Sequence, residues 1–220
     1  MYTIETLDIR GYHNMVVPNT FFRQEQPMSH LAIIYPGIGY TAQMPVLYYP
    51  SRVLLARGAD VLRVEYAYNR PEFQNLPKVE RDQWFHADVM AAYHVALAQR
   101  NYRQLTLVGK SLGTLALGHL LSAGAHLSPI RCLWLTPLLR NDQLREQIRR
   151  TQHRALFVIG TADPHYDPAY LADVQSATKG RSVTIEGADH SLEIGDDIIQ
   201  SLHAQVRIVE AVEQFLKDAE

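Results

Sequence analysis

Leu105-Thr106-Leu107-Val108-Gly109-Lys110-Ser111-Leu112-Gly113-Thr114 is the stretch whose reading decides the fold. Its first four residues are β-favouring and mostly apolar, and an Ala/Leu-rich segment of helical character runs from Thr114 to Leu121 with no loop between them. The spacing predicts a strand, a sharp turn and a helix. A serine at such a turn must take up a strained backbone conformation, and Gly109 and Gly113 remove the side chains that would collide with the neighbouring helix and strand. The Ser111 hydroxyl is then held out at the strand's end. Gly-Lys-Ser also closes a phosphate-binding loop, but that motif needs a glycine where this chain has Gln104, and a Gly-rich loop in place of an apolar strand.

Downstream, two more strands end in a similar way. Ala155 to Ile159 is an apolar run followed by Gly160-Thr161-Ala162-Asp163, and Val183 to Glu186 is followed by Gly187-Ala188-Asp189-His190. In a parallel sheet Ser111, Asp163 and His190 would all emerge on one edge. A serine hydroxyl is a poor nucleophile at neutral pH and needs a base, which a histidine supplies and an acid orients. Asp167 is the local rival to Asp163, but Asp167-Pro168 reads as the cap of the next helix. Asp163, His165 and Asp167 lack the further cluster that a metal site would need, so no metal is expected. Asp189 reads as a turn-former, and Lys110 as surface-facing.

Upstream, residues 2–24 alternate loosely with a turn near Gly11 to Asn14, which predicts an antiparallel hairpin at a sheet edge. Leu31 to Tyr35 reads as a buried strand running into Pro36-Gly37-Ile38-Gly39-Tyr40-Thr41. Gly37, Gly39 and Ala42 match a dinucleotide fingerprint, with Glu65 where a ribose-binding acid would stand. That motif opens its helix at the glycines, whereas Pro45 predicts a helix starting later, over about 45–57. A strand follows at Val61 to Val64, then a loop over Glu65 to Lys78 rich in Tyr, Pro and Asn. Helices are expected over about 81–100 and 141–150, with a strand at Ile130 to Leu135 between them, and over 196–216. His86 and His94 read as structural, and Arg145, Arg149 and Arg150 as a solvated face.

These motifs, in the order serine, acid, histidine, resemble the α/β-hydrolase superfamily over roughly residues 31–216, in particular small esterase-like and dienelactone-hydrolase-like members. The resemblance implies a three-layer α/β fold, a mostly parallel sheet with helices on both faces, an antiparallel edge hairpin and a minimal cap formed by residues 138–144 and 66–78. It implies a serine hydrolase cleaving small-molecule carboxylic esters through an acyl-serine intermediate, with catalytic Ser111, Asp163 and His190. The oxyanion donors would be the backbone amides of Leu112 and Ile38. This chain has Pro36-Gly37 where many members have His-Gly, so Gly39 or Tyr40 stands as an alternative to Ile38. The pocket would be shaped by Gly37, Gly39, Tyr40, Tyr66, Tyr68 and Leu138. Dienelactone hydrolases use a cysteine nucleophile, so their activity does not carry over to Ser111. A thioesterase, a peptidase and a catalytically silent binding protein are the other readings, and no cofactor is implied.

With 220 residues, 47% of them apolar, one domain over 1–220 with a large core is expected. The net charge of −2, with both signs interspersed, gives no nucleic-acid surface. Cys132, the single cysteine, lies in an apolar run and reads as a buried thiol. The start of the chain has no signal-peptide pattern, and no stretch approaches the ~20 apolar residues of a membrane span, so a soluble cytoplasmic protein is expected. Oligomeric state is not set by the sequence.

Overall fold

The computed structural model describes residues 1–66, 68–125 and 129–217. Eight strands, β1 (Tyr2–Glu5), β2 (Asn19–Gln24), β3 (His30–Tyr35), β4 (Asp60–Val64), β5 (Gln104–Lys110), β6 (Ile130–Leu135), β7 (Arg154–Gly160) and β8 (Arg181–Ile185), form one sheet in the order β1-β2-β4-β3-β5-β6-β7-β8. Strands β3 to β8 are parallel, while β2 runs antiparallel to β4 and β1 antiparallel to β2. The expected antiparallel pair is therefore at the edge. Its connection is longer than a tight turn, with a 3-10 turn at Tyr12–Asn14 and a bridge between Arg10 and Val16.

Between the strands lie α1 (Pro45–Ala56), α2 (Pro71–Gln74), α3 (Lys78–Leu97), α4 (Leu112–Ser122), α5 (Asp142–Arg150) and α6 (Pro168–Thr178), with α7 (Ile198–Lys217) last. Because strand side chains alternate between faces, a parallel strand covered on both sides reads as a continuous apolar run. In β5, Leu105 and Leu107 join one buried cluster with Val89 and Ala92 of α3, Leu117 of α4, Ile148 of α5 and Val174 of α6. Val108 joins the other, with Leu47 and Leu54 of α1 and Ile208 and Val212 of α7. The molecule thus has three layers, as expected. Among the described residues no helix is long and apolar enough to cross a membrane.

Two expectations are corrected here. The segment expected as a loop over Glu65 to Lys78 contains α2, and α3 begins at Lys78, a turn before Arg81. Residue 67 of that segment lies outside the described residues. Pro77 is the N-cap of α3, and before Trp84 the helix carries a Lys78–Asp82 ion pair and a single apolar residue, the exposed Val79, so helical periodicity in the sequence begins only at Trp84. Arg145 is not on a solvated face: its guanidinium lies 3.8 Å from the centroid of the Tyr170 ring, bonding α5 to α6. Arg149 and Arg150 do pair at the surface, with Asp173 and Glu146.

At the amino edge of the sheet sits a closed polar cluster. Asp60, fully buried, accepts from the Gln24 amide at 2.7 Å and from the Tyr102 hydroxyl at 2.7 Å, with the Arg100 guanidinium at 3.3 Å. Nearby, His30 Nε2 meets Thr106 Oγ1 at 2.9 Å.

Candidate functional site

The carboxyl edge begins with Ser111. It sits between β5 and α4 at φ 53° and ψ −115°, in the left-handed half of φ space that costs a non-glycine residue of order 1–3 kcal/mol. Packing imposes the glycines on either side. A Cβ at Gly109 would lie 2.4 Å from the Gly113 carbonyl oxygen, and one at Gly113 would lie 1.9 Å from that of Tyr35. Any side chain at either position would push α4 off the sheet and move the serine.

Beyond β7 and β8, the chain brings Asp163 and His190 to Ser111. His190 Nδ1 lies 2.7 Å from Asp163 Oδ2, and its Nε2 lies 2.8 Å from Ser111 Oγ. A carboxylate only accepts, so Nδ1 carries the proton and Nε2 is left to accept from the hydroxyl. Asp163 is buried, and its other oxygen accepts from the His165 amide at 2.8 Å. A Cβ at Gly160 would stand 2.0 Å from the Ala188 carbonyl oxygen, so the acid-bearing and histidine-bearing loops touch through that glycine. Asp167 is occupied elsewhere, capping α6 by accepting from the Ala169 and Tyr170 amides. Asp189 accepts from the Ser191 and Glu193 amides and shapes the turn.

Lys110 departs from the surface-facing expectation. It is 2% exposed, donates from Nζ to the His190 carbonyl oxygen at 3.0 Å and lies 4.3 Å from the centroid of the Tyr40 ring. Burial pushes its ammonium down to about 8, against the pull of the Asp163 and Asp189 carboxylates. The signal was present in strand alternation: Lys110 follows Val108 by two and so falls on the face covered by α1 and α7. Glu65 has a structural part. Its Oε1 accepts from the Ala42 amide at 3.2 Å, tying down the loop after β3, and burial raises its carboxyl. Since α1 begins only at Pro45, the glycines open no helix and the dinucleotide geometry is not built.

That loop passes close to the serine, with the position of a Gly37 Cβ 3.2 Å from Ser111 Cβ. The Tyr40 amide is spent on the Gly37 carbonyl at 3.4 Å. The amides of Ile38 and Leu112 have no hydrogen-bond partner among the described residues.

The pocket expectation needs correction. Next to Ile38 and Leu112 a cleft of about 290 Å³ opens between α3, α4 and α5, bordered by Phe85, Leu115 and Leu144, and Tyr40, Tyr66, Tyr68 and Leu138 do not line it. Tyr40 is buried, with its hydroxyl accepting from the Val46 amide, and burial pushes its phenol up to about 12. Tyr66 and Tyr68 stack at 4.5 Å and line a separate cavity of about 430 Å³ beside Trp84, where the Tyr68 hydroxyl donates to Asp88. Their loop folds inward because α3 offers it that buried acid. Leu138 packs onto the core, and Gly37 and Gly39 remain on the loop beside Ser111. Among the described residues no group of three or more His, Cys, Asp or Glu is arranged to hold a metal ion. Cys132 is buried, which pushes its thiol up. His86, read as structural, stacks on His119 at 3.9 Å.

A parallel sheet in this strand order, with a positive-φ serine after β5 and an acid and a histidine after β7 and β8, is the architecture of the α/β hydrolases. The chain belongs to that family: the family model for an alpha/beta hydrolase domain matches residues 29–217. No curated protein matches its sequence significantly. Among solved structures it is similar to Est1E from Butyrivibrio proteoclasticus, at 14% identity and a TM-score of 0.70 over 98% of each chain. It is also similar to the Pyrococcus furiosus esterase Pf2001, at 10% identity and a TM-score of 0.69, over 97% of this chain and 93% of that one. A third is a serine hydrolase without lid from Xanthomonas campestris, at 18% identity and a TM-score of 0.64, over 99% and 94%. At such identities the likeness is one of fold.

Proposed function

We propose that the chain is a serine hydrolase that cleaves carboxylic esters of small molecules through an acyl-serine intermediate. The observation that carries this reading is the unbroken relay Asp163–His190–Ser111, with hydrogen bonds of 2.7 and 2.8 Å, ending on a hydroxyl at a strained turn. Ser111 Oγ attacks the ester carbonyl as His190 Nε2 takes its proton, and the imidazolium is stabilised by Asp163. The tetrahedral oxyanion is held by the amides of Leu112 and Ile38, each such donor typically contributing ~10²–10³ in rate. When the carbon–oxygen bond breaks, His190 returns the proton to the departing alkoxide, and the alcohol leaves. A water, deprotonated by the same histidine, then attacks the acyl-serine, and the acid and free Ser111 are regenerated. The similar fold from Pyrococcus furiosus is named as an esterase, which favours esters over thioesters and peptides as the substrate class.

The test is a fluorophosphonate probe followed by peptide mass spectrometry, alongside 4-nitrophenyl esters of increasing acyl length. Labelling at Ser111 with ester turnover is expected. No labelling and no turnover would leave a silent binding module.

A further inference from the structure

We propose that the cleft between α3, α4 and α5 is an acyl-side subsite for a carboxylate, with Arg81 as its charge partner, so that the favoured substrate is an ester whose acyl chain ends in an anion. This rests on the serine-hydrolase reading above. The cleft starts at Leu112 and Ile38, whose amides are the proposed oxyanion donors, and neither His190 nor His165 borders it. A leaving group must face His190 to collect its proton, so whatever enters the cleft is the acyl part.

Apolar walls and a single unmatched charge define what fits. Phe85, Leu112, Leu115 and Leu144 provide the walls. Of the charged groups that line it, Lys78 and Asp82 neutralise each other in an ion pair. The Arg81 guanidinium, half-buried, has no hydrogen-bond or ion-pair partner among the described residues. His86 and His119 stack in the same cleft, and burial lowers both imidazoles, so they offer polar ring edges without adding charge. Asn141, Gln143 and Gln147 add only neutral amides on the α5 side, so the balance is one positive charge facing the apolar wall.

Topology puts that charge within reach of the reacting centre. Both α3 and α4 connect parallel strands, so they run in the same direction from the carboxyl edge. His86 stacks on His119, which places Arg81, about a turn and a half before His86, level with the early turns of α4. Arg81 thus stands across the cleft from Leu112, on α3, at a level about two to three residues into α4. A medium-length acyl chain that crosses the cleft from Leu112 toward α3, past Leu115 and Phe85, brings its terminal carboxylate to the guanidinium, a charge-assisted and potentially bidentate pairing.

The experiment compares kcat/KM for 4-nitrophenyl hexanoate with that for the mono-4-nitrophenyl ester of adipic acid. The anionic ester is expected to be preferred by about tenfold to a hundredfold, and Arg81→Gln to cut that ratio by a similar factor, with partial retention in Arg81→Lys. Equal rates on the two esters in the wild type, or a ratio unchanged by both substitutions, would overturn the subsite while leaving the hydrolase standing. Calorimetric binding of monomethyl adipate to Ser111→Ala, with and without Arg81→Gln, reads the subsite without turnover. Arg81-dependent binding there, combined with no hydrolysis of either ester by the wild type, would keep the subsite and sink the hydrolase. Binding unaffected by Arg81→Gln would sink the subsite.

Discussion

The two edges of the parallel sheet treat buried polar groups in opposite ways. At the amino edge the Asp60 carboxylate is closed off on both oxygens by Gln24, Tyr102 and Arg100. At the carboxyl edge the series of bonds from Asp163 through His190 stops at a serine hydroxyl, and the Ile38 and Leu112 amides beside it have no protein partner among the described residues. A closed network stabilises the folded chain and has nothing left to give a ligand. An open one leaves a hydroxyl and two amide donors free to meet a ligand, and the strain at Ser111 is a cost carried on that side.

If the edges divide the labour in this way, substitutions should separate activity from stability. Ser111→Ala should lower turnover by ~10⁴–10⁶ with an unchanged circular dichroism spectrum, and retained ester hydrolysis would break the contrast outright. Asp163→Asn should lower kcat by about 10⁴ by favouring the wrong imidazole tautomer, whereas Asp167→Asn, which keeps a capping oxygen, should leave turnover near that of the wild type. At the other edge, Asp60→Ala removes the acceptor of the Gln24 amide and the Tyr102 hydroxyl and should cost about 1–3 kcal/mol for each group left unsatisfied, read by urea unfolding, with kcat per folded molecule preserved. The smallest effect concerns His30, which burial holds down at about 4 against an ordinary 6.5. Between those values the unfolded chain binds a proton that the folded chain lacks, so stability falls as pH drops through that window, by at most ~3 kcal/mol. His30→Asn should flatten that slope in unfolding titrations, and an unaltered slope would remove His30 from the account.

What could be read from the sequence follows from how local each requirement is. Gly109 and Gly113 mark the elbow because the contacts they permit, to the Gly113 and Tyr35 carbonyls, leave no other residue type room. Asp167 could be recognised as a cap because its partners are the next two amides but one, Ala169 and Tyr170. Lys110 is not legible in the sequence because its charge argues for solvent while its strand position argues for burial, and its partners, the His190 carbonyl and the Tyr40 ring, lie far away in sequence. The same distance hides the pairing of Tyr68 with Asp88, which turns the aromatic loop inward, and leaves the cleft to be formed by side chains of α3, α4 and α5 that lie outside any motif, Leu112 excepted.

The contact at Gly160 has a practical bearing on anyone who wishes to move this arrangement into another scaffold. Ala162 donates its amide to the Ala188 carbonyl at 2.9 Å, and Gly187 donates to Thr161 Oγ1 at 2.8 Å, so the two loops are stitched to each other as well as to the sheet. They form one transplantable part: grafting either without its mate would leave the acid or the base without its alignment, however well the recipient reproduced the rest.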